Sequence, residues 1–166
     1  MKKALLLACL GAFLVAGCET PTASRQPAPR LVKFDEAEFQ PYAGVGSSAI
    51  TGQAFLKTRG GDVKFGAGCE VLLIPFTTYT QENVERVDKG EALEPLDPRY
   101  FIYRKKTLAD GNGNFEFRDI PAGAYYLACS INWEAPGPYG LYKTGGWAIT
   151  QTSVAAGETI KVILTR

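Results

Sequence analysis

The chain has 166 residues, with 18 Lys and Arg side chains against 17 Asp and Glu side chains, and it contains no histidine. A nearly neutral charge argues against nucleic-acid binding, because domains that bind phosphate backbones carry a clear basic excess or a basic stripe. The lack of histidine excludes Ser-His-Asp and Cys-His nucleophile systems, and no carboxylate pair of the kind used in glycoside hydrolysis stands out. We therefore expect a protein that is not an enzyme.

The first 18 residues have the pattern of a bacterial export signal that ends in a cysteine. Lys2 and Lys3 form a positive start, and residues 4–15 form an apolar run that is too short to cross a bilayer as a stable helix. A Val-Ala-Gly tripeptide then precedes Cys18. This arrangement resembles the signal of bacterial lipoproteins; an ordinary secretory signal with an incidental cysteine is the alternative.

The lipoprotein resemblance implies that residues 1–17 are cleaved and that acyl chains on Cys18 anchor the mature chain in a membrane. In Gram-negative lipoproteins an aspartate after this cysteine commonly retains the protein in the inner membrane. Glu19 occupies that position here, so the resemblance favours the outer membrane. Residues 18–33 are rich in Pro, Ala, Ser and Thr, which predicts a flexible tether before a folded domain at residues 34–166.

Two cysteines remain for the folded domain, Cys69 and Cys129, since Cys9 lies in the signal and Cys18 is assigned to lipid. An oxidising compartment favours a disulfide between them, but the bond requires Cα atoms within about 7 Å, a distance that the sequence does not show. Two small buried apolar side chains are the alternative. Two cysteines without histidine make a poor zinc site, so we expect no metal and no cofactor.

From residue 48 onward, short segments of alternating apolar and polar residues are separated by Gly, Pro, Asn and Asp, which is typical of antiparallel sheets. Seven such strands in one domain favour a sandwich. The predicted strands are residues 50–56, 69–76, 101–107, 114–118, 124–133, 146–154 and 159–165. A single helix is predicted at residues 81–89, with Thr80 as its cap and Gly90 as its end.

The order of the strand motifs resembles the carboxypeptidase regulatory-like domain, a transthyretin-like β-sandwich. The motifs are Thr-Gly-Gln at residues 51–53, an apolar second strand, Phe-x-Phe at 115–117, Pro-Ala-Gly-x-Tyr at 121–125 and Gly-Glu-Thr at 157–159. The resemblance implies an all-β, antiparallel, seven-stranded Greek-key β-sandwich with one short helical insertion. This sandwich serves as an accessory or binding module, so the resemblance implies no catalytic residues.

Two segments depart from this pattern, the insertion at residues 77–100 and the loop at residues 134–145. Four aromatic residues bracket or lie in the loop: Trp133, Tyr139, Tyr142 and Trp147. Exposed rings can stack on sugars or anchor a protein partner, whereas rings that close the sandwich ends are the alternative. Our leading prediction is an envelope lipoprotein that contacts an envelope protein through these segments; a carbohydrate-binding module that uses the rings is the second.

A further loop, residues 57–64, places Gly60 and Gly61 among charged side chains. Such a loop can form a backbone nest for an anion or a contact on a partner. A glycine pair is more often only a turn, so both interpretations stay open. The loop resembles neither a P-loop nor a dinucleotide-binding fingerprint.

Overall fold

The computed structural model describes residues 26–166. Cys18, the predicted signal at residues 1–17 and the first part of the predicted tether therefore lie outside the described residues. Within residues 26–166, no helix is long and apolar enough to cross a bilayer.

The first sheet is built around strand β1, Ser48–Lys57. β1 pairs in antiparallel fashion with β5, Asn114–Ile120, over its first part, and with β2, Val63–Phe65, at its end. It also pairs with β8, Thr159–Leu164, in parallel. The inward-facing residues of β1 are buried at every second position, as expected of a strand that covers a core with one face.

The second sheet is antiparallel throughout, with the strand order β4-β3-β6-β7. Its strands are β3, Glu70–Pro75; β4, Lys105–Leu108; β6, Gly123–Gly137; and β7, Gly140–Val154. β3 pairs with β6 only between Tyr125 and Cys129, whereas β7 pairs with β6 along its whole length. The distal half of the β6–β7 hairpin therefore extends beyond the other strands of its sheet.

The main core lies between the two sheets. β6 contributes its odd-numbered residues from Tyr125 to Ile131, and Trp133 packs against the same core. β1, β5 and β8 contribute the opposite layer through residues such as Ile50, Phe117 and Leu164. A disulfide joins Cys69 to the fully buried Cys129, with their Cα atoms 6.4 Å apart.

Helix α2, Thr78–Asp88, covers the outer face of the second sheet. Tyr79 packs there against a second apolar cluster that includes Tyr126 and Ala128 from the outer face of β6. Two shorter helices belong to the same layer, α1 at Glu36–Phe39 and α3 at Tyr100–Tyr103, and a 3₁₀ turn at Gln40–Tyr42 follows α1. The alternation predicted for residues 124–133 thus separates two clusters on opposite faces of β6.

The structure supports the predicted β-sandwich but corrects several of its details. Residues 26–166 contain eight strands and not seven, because the short β2 was missed, and the β1–β8 pair is parallel. The predicted third strand, residues 101–107, begins as helix α3, whose Tyr100 and Tyr103 turn into the second apolar cluster. The predicted loop at residues 134–145 is the paired end of the β6–β7 hairpin.

The predicted helix also begins earlier than expected. Thr77 and not Thr80 caps α2: the Thr77 hydroxyl accepts from the Thr80 N–H at 3.2 Å, and the Thr77 N–H donates to the Thr80 hydroxyl at 2.9 Å. This reciprocal pair satisfies two N–H groups at the helix start. Gly90 follows the helix with a positive φ of 78°, as predicted for the residue that ends it.

The described part of the predicted tether contacts the folded domain. The Ala28 N–H donates to the Ala92 carbonyl at 2.7 Å, and the Ala28 carbonyl accepts from the Glu94 N–H at 3.0 Å. The N–H groups of Leu31 and Val32 both donate to the Glu82 carboxylate on α2. In the structure, packing therefore begins before residue 34, because a buried carboxylate holds the backbone of this segment.

Candidate functional site

A cleft of about 950 Å³ lies at one end of the sandwich. One wall is the turn between β1 and β2, residues 57–62, and the other is the distal part of the β6–β7 hairpin. Leu56, the last buried residue of β1, lies at its base. β6 and β7 continue past Cys129, the last β6 residue paired with β3, so within residues 26–166 the distal part of the hairpin pairs with no third strand.

Two of the four predicted aromatic residues lie in this cleft, Trp133 and Tyr142. Trp133 is half-buried and packs against the main core. Tyr142 is opposite Ala135 in the hairpin register, and since directly paired residues share a face, it lies on the same inner face as Trp133. Its side chain is 54% exposed, so this ring has a surface available to a ligand.

The Tyr142 ring is positioned by a glycine. A Cβ atom at Gly137 would lie 2.9 Å from Cδ1 of Tyr142, which is closer than two carbon atoms normally approach. The ring therefore occupies space that a larger residue at position 137 would fill.

The other two predicted aromatic residues are elsewhere. Tyr139 is fully exposed at the tip of the hairpin. Trp147 is opposite Ser130 in the register and is thus on the outer face, where it borders a smaller groove of about 380 Å³ beside α2. The four rings do not form a single surface, because alternate strand positions point to opposite faces.

Charged side chains line the cleft in unequal numbers. Four are cationic and two are carboxylates, and they are Lys57, Arg59, Lys64, Arg166, Asp62 and Glu134. Lys64 is opposite the buried Leu56 and therefore shares the inner face of its sheet. Glu134 is opposite Lys143 on the outer face of the hairpin, one position away from the inward-facing Trp133.

Two glycines in β7 shape the floor of the cleft. Gly145 has a φ of 136°, and a Cβ atom there would collide with the carbonyl oxygen of Ile131. A Cβ atom at Gly146 would lie 3.6 Å from Nη1 of Arg166. The Arg166 guanidinium thus lies close to the hairpin at Gly146.

The turn that carries Arg59 is ordered by its own hydrogen bonds. The Thr58 hydroxyl accepts from the Asp62 N–H at 3.1 Å, and the Thr58 N–H donates to the Asp62 carbonyl at 2.9 Å. Gly61 adopts a φ of 92°. The glycine pair thus forms a turn, and this turn holds charged side chains at the rim of the cleft.

The insertion at residues 77–100 is the other segment predicted to contact a partner. Several of its charged side chains instead bind other residues of the same chain. The Glu82 carboxylate is buried and binds both Arg86 and the backbone of Leu31 and Val32. Asp97 accepts from the Arg99 guanidinium, and this hydrogen bond lowers the pKa of Asp97 to about 2. These side chains stabilise the insertion.

Sequence analysis missed Arg166 as a site residue and included Lys64 only as the end of the candidate loop at residues 57–64. Lys64 belongs to the unpredicted strand β2, and only its register opposite Leu56 shows that it faces inward. Arg166 continues the alternation of inward residues in β8, such as Val162 and Leu164. That alternation was the one sequence signal that Arg166 faces inward. No sequence pattern indicates that Arg166 lies near the β6–β7 hairpin.

Comparison with known proteins gives a fold neighbour and no family. No protein-family model matches the chain, and no curated protein matches it. The crystal structure of a proposed carbohydrate-binding protein from Pseudomonas aeruginosa is similar, with a TM-score of 0.74 and 29% sequence identity over 82% of this chain and 100% of that chain. The similarity supports the β-sandwich, and carbohydrate binding is the role proposed for that protein.

Proposed function

We propose that this chain is a glycan-binding module whose ligand lies in the cleft between the β1–β2 turn and the β6–β7 hairpin. The observation that carries the proposal is the placement of Trp133 and Tyr142 on one face of a cleft with charged side chains at its rim. The similarity to a proposed carbohydrate-binding protein gives further support.

The chemistry of the cleft suits a sugar. Aromatic rings offer rigid apolar surfaces that stack on the C–H face of a pyranose. Side chains at the rim, such as Asp62, Arg59 and Lys64, supply the donors and acceptors that hydroxyl groups need, and a few such polar groups fix orientation in ligand sites. Together these features favour a segment of polysaccharide lying along the hairpin.

We infer binding without hydrolysis. Most glycosidases need two carboxyl groups that flank the scissile bond. Of the two carboxylate residues at the cleft, Glu134 shares the outer face of the hairpin with Lys143. Asp62 is left without a facing carboxylate among the residues that line the cleft.

We further propose that the module is held at the outer membrane. The support is the resemblance of the N-terminal segment to a lipoprotein signal, with Cys18 as the lipidated residue. Attachment through several acyl chains would anchor the chain stably. A glycan-binding module on such an anchor would hold polysaccharide at the cell envelope.

Contact with an envelope protein is the second candidate function. Its support is the groove beside α2, which apolar side chains such as Val84, Val87 and Leu96 border. Trp147, 47% exposed, lies at this groove. Half-exposed tryptophan beside an apolar groove is typical of protein interfaces.

The two candidates are separated by matched aromatic substitutions in the full chain, purified in detergent. We expect Tyr142→Ala to weaken binding to a glycan array about tenfold, since stacking and burial of one ring contribute about 1–2 kcal/mol. Tyr139→Ala and Trp147→Ala should bind as the wild type does. Absence of glycan binding by the wild type, or equal affinity in all three variants, would contradict the proposal. An envelope protein lost only from Trp147→Ala would support the second candidate.

A further inference from the structure

We propose that the cleft selects anionic glycans, whose sugars carry carboxylate or phosphate groups; this inference rests on the proposed glycan-binding function. The chain as a whole is nearly neutral, so an excess of cations at one cleft is a local property. Four of the six charged residues that line the cleft are Lys or Arg. One of the two carboxylates, Glu134, belongs to the outer face of its hairpin.

The cations come from three parts of the chain that meet only in the fold. Lys57 and Arg59 are at the β1–β2 turn, Lys64 is in β2, and Arg166 follows β8. Lys64 is half-buried on the inner face of its sheet, opposite Leu56. Lys57, Arg59 and Lys64 thus lie opposite the hairpin that carries Trp133 and Tyr142, and the Arg166 guanidinium lies beside Gly146 of that hairpin.

These four cations are not used to stabilise the described part of the fold. The salt bridges within residues 26–166 are formed by Arg86, Arg99, Lys106 and Arg118, none of which lines the cleft. No side-chain hydrogen bond from Lys57, Arg59, Lys64 or Arg166 is found among the described residues either. Their donors are therefore free to bind a ligand.

Cationic side chains in a cleft favour an anion more strongly than the same charges on a flat surface. Walls of low polarity reduce screening by water and focus the field in the cleft. Apolar groups at the base, Leu56 and Trp133, provide such walls. Charge-assisted hydrogen bonds from Arg or Lys to a carboxylate or phosphate are also stronger than neutral ones.

The geometry of a uronic acid fits this arrangement. Its carboxylate projects from the edge of the sugar ring and not from its face. A ring stacked on Tyr142 or Trp133 would therefore keep its carboxylate at the periphery, where the cationic side chains that line the cleft could bind it. A neutral sugar could stack in the same way but would leave Lys64 and Arg166 without an anionic partner.

The test uses the full chain and pairs of ligands that share a polysaccharide backbone and differ in whether their anionic groups are present. Polygalacturonate is compared with its fully methyl-esterified form by isothermal titration calorimetry, and a phosphorylated mannan with its dephosphorylated form distinguishes phosphate from carboxylate. We expect at least about tenfold tighter binding of an acidic polymer than of its neutral counterpart. This preference should shrink as salt rises from about 0.05 M to about 0.5 M, because exposed charges are then screened.

Charge-neutralising variants identify which cations cause the preference for acidic polymers. Lys64→Gln and Arg166→Gln should each weaken binding of the acidic polymer about fivefold to tenfold and change binding of the neutral one less than about twofold. Asp62→Asn should tighten acidic binding about twofold, since it removes a repulsive charge. Lys89→Gln, at an exposed position after α2, is the matched control and should change the affinity for neither polymer.

The outcomes separate this inference from the proposed function. Equal affinity for acidic and neutral polymers, both lost in Tyr142→Ala, would overturn the anionic preference and leave glycan binding in place. Tight acidic binding that Lys64→Gln and Arg166→Gln do not weaken would also overturn it. Failure of every polymer and of the glycan array to bind would overturn both.

Discussion

Glu82 shows how one residue can attach a whole segment to a domain. Its carboxylate is buried under residues 26–34 and accepts from the N–H groups of Leu31 at 2.8 Å and Val32 at 3.0 Å. The Arg86 guanidinium donates to it as well. Burial alone would raise the pKa of Glu82, but these hydrogen bonds outweigh burial and hold the pKa below its ordinary value of 4.5.

We expect Glu82→Gln to lower the free energy of unfolding by about 2 kcal/mol at pH 7, since hydrogen bonds to a charged group are lost. Because the folded pKa is lowered, the stabilisation is complete above pH 4.5 and is lost as the pH falls through the folded pKa. The difference between wild type and Glu82→Gln should therefore narrow in acid. Urea unfolding of both proteins at pH 7 and in acid measures this difference in the free energy of unfolding.

Glu85→Gln is the matched control for this prediction. Glu85 is exposed on the same helix, and among the described residues its one side-chain hydrogen bond comes from Gln81 of that helix. Hydrogen exchange at Leu31 and Val32 should accelerate in Glu82→Gln and not in Glu85→Gln. Equal exchange and equal stability in the two variants would refute the role given to Glu82.

At the scale of elements, the β6–β7 hairpin determines the cleft. Its distal part has no third strand beside it, so its shape depends on local backbone geometry. Gly145 and Gly140 both adopt positive φ angles, 136° and 121°. Only Gly145 faces a backbone obstacle, the carbonyl oxygen of Ile131, whereas nothing lies within 4 Å of the Cβ position at Gly140.

This difference predicts unequal effects of the same substitution. Gly140→Ala should lower the free energy of unfolding by about 1–2 kcal/mol, which is the cost of the unfavourable φ angle alone. Gly145→Ala should cost at least about 3 kcal/mol, because β7 must also move away from β6, and it should reduce ligand binding at Tyr142. Chemical denaturation and titration with the same glycan test both statements. Indistinguishable variants would rule out the collision as the cause.

At the scale of the whole molecule, the disulfide joins β6 to the residue that precedes β3. Cys69 and Cys129 are 60 residues apart in sequence, and the segment between them includes the helical insertion and β5. Closing a loop of this length removes conformations from the unfolded chain and stabilises the fold by about 4 kcal/mol in the chain-entropy treatment. The bond thus closes a loop of the chain that contains the insertion.

We expect a reducing agent to lower the free energy of unfolding of the wild type by about 4 kcal/mol. Cys69→Ala/Cys129→Ala should be less stable than the oxidised wild type and insensitive to the reductant. Thermal and urea unfolding, each with and without reductant, measure the stability of the wild type and of the double variant. A wild type that reductant leaves unchanged would contradict a bonded pair.

Local patterns in the sequence were enough for much of the architecture. Alternation at residues 124–133 predicted a strand, and the structure places separate apolar clusters on its two faces. The same logic failed at residues 101–107, where the apolar residues 101–103 belong to the helical turn α3 and the polar residues 105–107 belong to β4. A short apolar run does not distinguish helix from strand, because both bury it equally well.

By itself, the sequence determined the strand periodicity, the end of α2 at Gly90 and the aromatic character of the hairpin, since each depends on residues that are close along the chain. Only the tertiary structure decided which side chains share a surface. It places Tyr142 and Trp147 on opposite faces of the hairpin and brings Lys64 and Arg166 to one cleft. The physical reason is that a side chain's face depends on strand register and on the packing of two sheets, and both are set by contacts between distant residues.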